Sequence, residues 1–133
     1  MSQENVEIVK TFGDAWQRGD LAAALSIVDD EVEWHDQAAI PDSAVHHGPE
    51  AVRRHWEQWL APWQKIEYET EELRGGSGDC VMVVLRRRGR GKTSGIEVTD
   101  QVIHVYTVRG DKIVRFQGYS DKAEALEAAG LSE

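Results

Sequence analysis

The chain is poor in cysteine. Of its 133 residues only Cys80 carries a thiol, so no internal disulfide can form. Cys80 opens the run Cys80-Val-Met-Val-Val-Leu85, where it reads as a small buried apolar residue rather than a nucleophile. That six-residue stretch is the longest uninterrupted apolar run, far short of the roughly 20 residues that a membrane-crossing helix needs. Basic residues are scarce too. Fifteen Lys and Arg face 24 Asp and Glu, and the net charge of −9 argues against nucleic acid or an anionic membrane surface as a partner. The start, Met-Ser-Gln-Glu-Asn, has no basic flank followed by an apolar stretch, so no secretion signal is expected and the protein is expected in the cytoplasm. No Gly-rich phosphate loop follows a strand pattern, and Gly-x-Ser-x-Gly does not occur. His35, Asp36, His46 and His47 match no established zinc spacing, so neither a metal nor a cofactor is expected.

What is present is enough to fold. Apolar residues make up 41% of the chain and include five Trp, which argues against a disordered chain. With no repeat and no linker, residues 1–133 read as one domain. Val6, Ile8, Val9, Phe12, Ala15 and Trp16 form one helical stripe that Gly19 ends. Asp20 can cap a second, shorter helix bearing Leu21, Ala24, Leu25 and Val28. Asp29-Asp30 reads as a turn, and Val32, Trp34 and Asp36 as the inward side of a short strand. Residues 37–48 read as a loop. Pro49 suits the first position of a third helix carrying Val52, Trp56, Trp59, Leu60 and Trp63, limited by Pro62. The period then changes to two. Strands are expected from Ile66, over Cys80 to Arg88, over Ile96 to Val108 and over Lys112 to Tyr119, with turns at Gly75 to Gly78, Gly89 to Lys92 and Arg109 to Asp111. Asp121 caps a last short helix that Gly130 stops. This order predicts an α+β fold: a curved, mostly antiparallel sheet over three N-terminal helices, with a short C-terminal helix.

The strand from Ile96 to Val108 carries the most chemistry. Val98, Asp100, Val102, His104 and Tyr106 share one face, which sets a titratable imidazole on a semi-apolar surface. His104 is either a core histidine with one hydrogen bond or an acid, base or donor inside a pocket. Asp100 lies about 13 Å away along an extended strand and cannot orient it directly. His35 and Asp36 point to opposite faces, with Asp36 on the side of Trp34. The run Arg86-Arg87-Arg88-Gly89-Arg90-Gly91-Lys92 reads as a solvated strand end and hairpin tip, neutralised by Glu67, Glu69, Glu71 and Glu72 on a neighbouring strand.

Four segments carry a family likeness. They are Trp16 through Trp34, Gly48-Pro-Glu-Ala-Val-Arg-Arg54, Val105 through Arg115, and Asp121 through Leu131. Together they resemble the SnoaL-like branch of the nuclear-transport-factor-2-like superfamily. The resemblance implies a cone with a pocket at its open end. It leaves the reaction open, because the superfamily includes ketosteroid isomerases, polyketide cyclases, dehydratases, epoxide hydrolases and non-catalytic proteins. By this likeness His104 takes the place of the isomerase's oxyanion-binding aspartic acid. The isomerase's general base falls on His35, or on Asp36 with a one-residue shift. Its catalytic tyrosine falls on Phe12, which has no hydroxyl. The last-strand acid of the cyclases and epoxide hydrolases falls near Gln117-Gly118 and is missing.

Two functions follow as expectations. One is a cofactor-independent isomerase, lyase or cyclase acting on a small apolar carbonyl compound, with Asp36 or His35 as base and His104 as donor or proton shuttle. The other is a non-catalytic ligand-binding or dimerisation domain. In both, a pocket lies between the helices and the face of Val102, His104 and Tyr106, walled by Phe12, Trp16, Trp34, Trp56, Trp59 and Tyr119. The outer sheet face, with Ile103 and Val105, is expected to lack a cover and so to pair two copies as a homodimer.

Overall fold

The computed structural model describes residues 2–37 and 45–131, without the side chains of Ser2, Asp36 and Gln37. In chain order the elements are α1 (Ser2–Gln17), α2 (Leu21–Leu25), β1 (Val28–Gln37), β2 (Val45–His47), α3 (Gly48–Leu60), β3 (Trp63–Gly75), β4 (Cys80–Gly91), β5 (Glu97–Arg109), β6 (Lys112–Tyr119) and α4 (Lys122–Ala129). Among the described residues six strands form one open, curved sheet in the order β2-β1-β6-β5-β4-β3. Every pairing is antiparallel except β1 with β6. The expected α+β architecture is therefore present. No described helix is long and apolar enough to cross a membrane.

The three-residue spacing of Val9, Phe12 and Ala15 buries one side of α1 against β3, β4, β5 and β6. Gly19, at φ +74°, lets the chain reverse, and the Asp20 carboxylate caps α2 by accepting from the Ala23 N–H at 3.0 Å. Pro49 stands in the first turn of α3, whose Val52 and Trp56 are buried over β1.

Cross-strand register fixes the two faces of the sheet. On β4 and β5, Val81 lies opposite Tyr106, Val83 opposite His104, Leu85 opposite Val102 and Arg87 opposite Asp100. These residues look inward with Val28, Val32 and Trp34 of β1 and Ile113 and Phe116 of β6, and the main core of Val9, Phe12, Trp34, Trp56, Tyr106 and Phe116 sits there. The alternating set, Met82, Val84, Ile103 and Val105, forms a second core on the outer face.

That second core corrects one expectation. α4 packs its Ala125, Leu126 and Ala129 onto the outer face, leaving Ile103 only 2% exposed. Eight residues suffice because Ala packs closely and the neighbouring turn comes in to meet the helix. The Ser77 N–H donates to the Ala129 carbonyl at 2.9 Å, and a Cβ on Gly76 would collide with that carbonyl. The apolar residues on which pairing of two copies was expected are thus covered by their own chain. Tyr119 is corrected with them: it packs against this outer cluster and lines no inner wall.

Two boundaries also differ. Asp29 and Asp30 lie inside β1, where the Asp29 carboxylate accepts from the Glu31 N–H at 2.8 Å. The local bond and a register shift against β6 make this stretch resemble a turn in sequence. Val45–His47 forms an edge strand inside the expected loop, with His46 opposite Trp34.

Candidate binding site around His104

His104 sits near the middle of β5, between Val83 of β4 and Gly118 of β6. Its ring packs edge-on to Phe116 at 4.7 Å and to Tyr106 at 6.1 Å between centroids. The inner-face neighbours Val102 and Tyr106 are buried, and His104 is half-buried. It lies deep in the protein all the same, and burial is the first cause that lowers its pKa to about 3, with the Arg87 charge second. Its Nδ1 is sealed from solvent and has no hydrogen-bond partner. The imidazole is consequently neutral at physiological pH and has one donor and one acceptor.

Aromatic rings surround the imidazole. Phe12 contacts Trp34, Trp56 and Tyr106 at centroid distances of 5.7 to 6.0 Å. Trp34 stacks on Phe116 at 4.0 Å. Phe12, Trp34 and Trp56 are buried and form the packed base, whereas Trp16, Trp59 and Tyr68 are half-buried. The Tyr106 phenol is pushed above its ordinary range by burial, and then by the nearby Tyr68. It stays neutral.

Arg87 and Asp100 bound the other side. Arg87 donates Nε to Oδ1 at 3.0 Å and Nη2 to Oδ2 at 2.6 Å, a forked ion pair. The guanidinium also lies 5.0 Å from the centre of a Trp59 ring, and Trp59 Nε1 donates to the Tyr68 hydroxyl at 3.3 Å. Burial lowers the Arg87 pKa, but its hydrogen bonds to Asp100 and the Asp100 charge outweigh that and the net shift is upward.

The expected residues thus divide. His104, Val102, Tyr106, Phe12, Trp16, Trp34, Trp56 and Trp59 share the inner side. His35 does not. It faces outward, 3.1 Å from the Glu33 carboxylate and 3.4 Å from Arg115 Nε, and its hydrogen bond is the first cause that lowers the Glu33 pKa. Asp36 lies on β1, but its side chain is outside the described residues. Tyr68 and Arg87 went unrecognised. Tyr68 hides among alternating glutamates, and Arg87 in a run whose other members face solvent: Arg86 binds Glu71 and Arg90 binds Glu97 on the outer face. Only the β4–β5 register, which sets Arg87 opposite Asp100, reveals its place.

Two hollows lie elsewhere in the molecule. One, of about 410 Å³, is lined by Pro62, Trp63, Thr93, Ser94, Ile96 and Val98 at the β4–β5 hairpin tip. The other, of about 700 Å³, is a polar groove between Asp29, Glu33, Asp79, Arg109 and Arg115.

The family model of the SnoaL-like domain matches residues 9–116. The chain belongs to the SnoaL-like family. This SnoaL-like chain is 30% identical to a nuclear-transport-factor-2-like protein from Burkholderia xenovorans LB400, with 96% of each chain covered and a TM-score of 0.69. A nuclear-transport-factor-2-like protein of unknown function from Burkholderia pseudomallei K96243 shares the fold at 22% identity, with 95% of this chain and 97% of that one covered and a TM-score of 0.78. TerC, crystallised with polyporic acid, shares it at 19% identity, with coverage of 93% and 96% and a TM-score of 0.77. No functionally curated protein matches the chain.

Proposed function

We propose that the protein binds a small, largely apolar organic molecule in the recess over His104, with the imidazole as its hydrogen-bonding anchor. The observation that carries this reading is Nδ1 of His104, sealed among aromatic rings without a partner. A buried polar atom left unpaired costs about 1–3 kcal/mol, so the imidazole is held here at the expense of stability, as polar groups kept for function are. A mostly apolar wall with few polar groups is also the common pattern of small-molecule sites. The co-crystallised polyporic acid of TerC agrees with an organic ligand in this fold. Native mass spectrometry of the protein as purified, followed by calorimetric titration of aromatic aldehydes, ketones and phenols, tests the reading. One such compound should bind, and His104→Leu should weaken it at least about tenfold, as loss of a buried hydrogen bond does. Equal affinity in the variant would refute the anchor.

A catalytic version adds a base. Asp36 stands two residues beyond Trp34 on β1, whereas His35 faces outward. Neutral His104 would then donate to a developing oxyanion rather than shuttle a proton. In that case Asp36→Ala and His104→Ala should each lower turnover of an enolisable carbonyl compound at least about a hundredfold. Unchanged turnover in folded variants would leave binding as the whole function.

A further inference from the structure

We infer that the Arg87–Asp100 pair sets the charge of the ligand: the recess selects an uncharged molecule, and Asp100 is the residue that makes it do so. The inference rests on the binding reading above and adds the ligand class.

The main core and the ring contacts place seven described side chains on the inner face; Asp36, two residues beyond Trp34 on β1, has its side chain outside the described residues. α1 contributes Phe12 and Trp16, α3 Trp56 and Trp59, β3 Tyr68, β1 Trp34 and β6 Phe116. All are uncharged. Beside them β4 and β5 supply one cation, Arg87, and one anion, Asp100. A half-buried guanidinium over an indole is ordinarily a receptor for carboxylate, sulfonate or phosphate groups. Here the fork is already occupied, because both Asp100 oxygens lie within 3.0 Å of Arg87 nitrogens. The pair is neutral as a unit, so an anionic ligand would meet a cation whose charge is matched and a carboxylate that repels it. A cationic ligand would find the Asp100 carboxylate similarly engaged. An uncharged ligand bears neither penalty, and His104 offers it a neutral donor or acceptor.

Asp100→Asn keeps the size of the side chain and one acceptor oxygen but removes the negative charge. Arg87 is then left with an uncompensated charge and a free half of its fork, and the same recess should turn towards anions.

Two fluorescent probes separate these outcomes. N-phenyl-1-naphthylamine is uncharged, and 8-anilinonaphthalene-1-sulfonate is the same ring system with one sulfonate. The wild-type protein should bind the amine at least about tenfold more tightly than the sulfonate, and Asp100→Asn should shift that ratio at least about tenfold towards the sulfonate. The double variant Arg87→Met/Asp100→Leu removes both charges with little expected loss of stability. It should keep the preference for the amine, and it covers the case in which Asp100→Asn alone fails to fold. His104→Trp fills the recess and should abolish binding of both probes. A wild-type preference for the sulfonate, an unchanged ratio in folded Asp100→Asn, or a double variant that prefers the sulfonate would each overturn the inference while the recess stands. Undiminished binding of both probes by His104→Trp would refute the recess itself.

Discussion

Acid should weaken this protein through His104 by an amount that can be worked out. An unperturbed histidine titrates near 6.5, whereas burial and the Arg87 charge hold His104 at about 3. Between these values the unfolded chain takes up a proton that the folded chain refuses. The unfolded state binds more protons, so stability falls as pH drops from 6.5 towards 3. At pH 5 the loss is about 2 kcal/mol, at about 1.4 kcal/mol for each pH unit below the ordinary value. His104→Leu removes this term and leaves every other titrating group in place. Urea unfolding followed by Trp fluorescence at pH 7.5, 6 and 5 then isolates it. The variant should match or exceed the wild type at pH 7.5, since it also deletes the unpaired Nδ1, and should gain about a further 2 kcal/mol on the wild type by pH 5. Stability curves that stay parallel from pH 7.5 to 5 would show that His104 titrates normally, and its sealed position would be wrong.

Other perturbations test the packing. Leu126→Ala should cost about 2–5 kcal/mol in denaturant unfolding, because Leu126 is 3% exposed and anchors α4 on the outer face. Ile103→Asp should unfold the single chain, since the carboxylate would lie beneath α4 without a partner; a folded variant with only an altered oligomeric mass would refute that placement. Gly89→Ala should lower stability by about 1–3 kcal/mol and change the Trp emission, because a Cβ there would come within 2.6 Å of the Trp63 ring.

Much of this was legible in the residues. The alternation of Val102, His104 and Tyr106 with Ile103 and Val105 assigns the two faces of β5, and the structure keeps that assignment. The caps at Asp20 and Asp121 were equally readable, since each needs only a carboxylate before a helical stripe. What a single strand cannot reveal is its partner across the sheet. Arg87 belongs to the inner face only because β4 sets it opposite Asp100, and Arg86 and Arg88 beside it belong to the outer face. The cover over Ile103 was missed for a similar reason. A helix of eight residues rich in Ala shows a weak stripe, and its fit depends on Gly76 allowing the chain behind it to approach. His104's depressed pKa is likewise a property of depth, which arises from elements far apart in the chain.

The parallel pairing of β1 with β6 has a consequence for how the chain acquires its shape. Val28 lies beside Ile113 and Trp34 beside Phe116, so the first long strand finds its main partner almost at the end of the sequence. During synthesis α1, α2, α3, β1 and the short β2 emerge with their apolar sides still waiting for the sheet. The β3–β4–β5–β6 meander, by contrast, joins neighbours through short turns and can form locally. Folding should therefore begin in the C-terminal half and close late, when β6 captures β1 and the aromatic rings around Phe12 meet for the first time. The aromatic surroundings of His104, which need both halves, are among the last features to exist and the first to vanish if the β1–β6 seam opens.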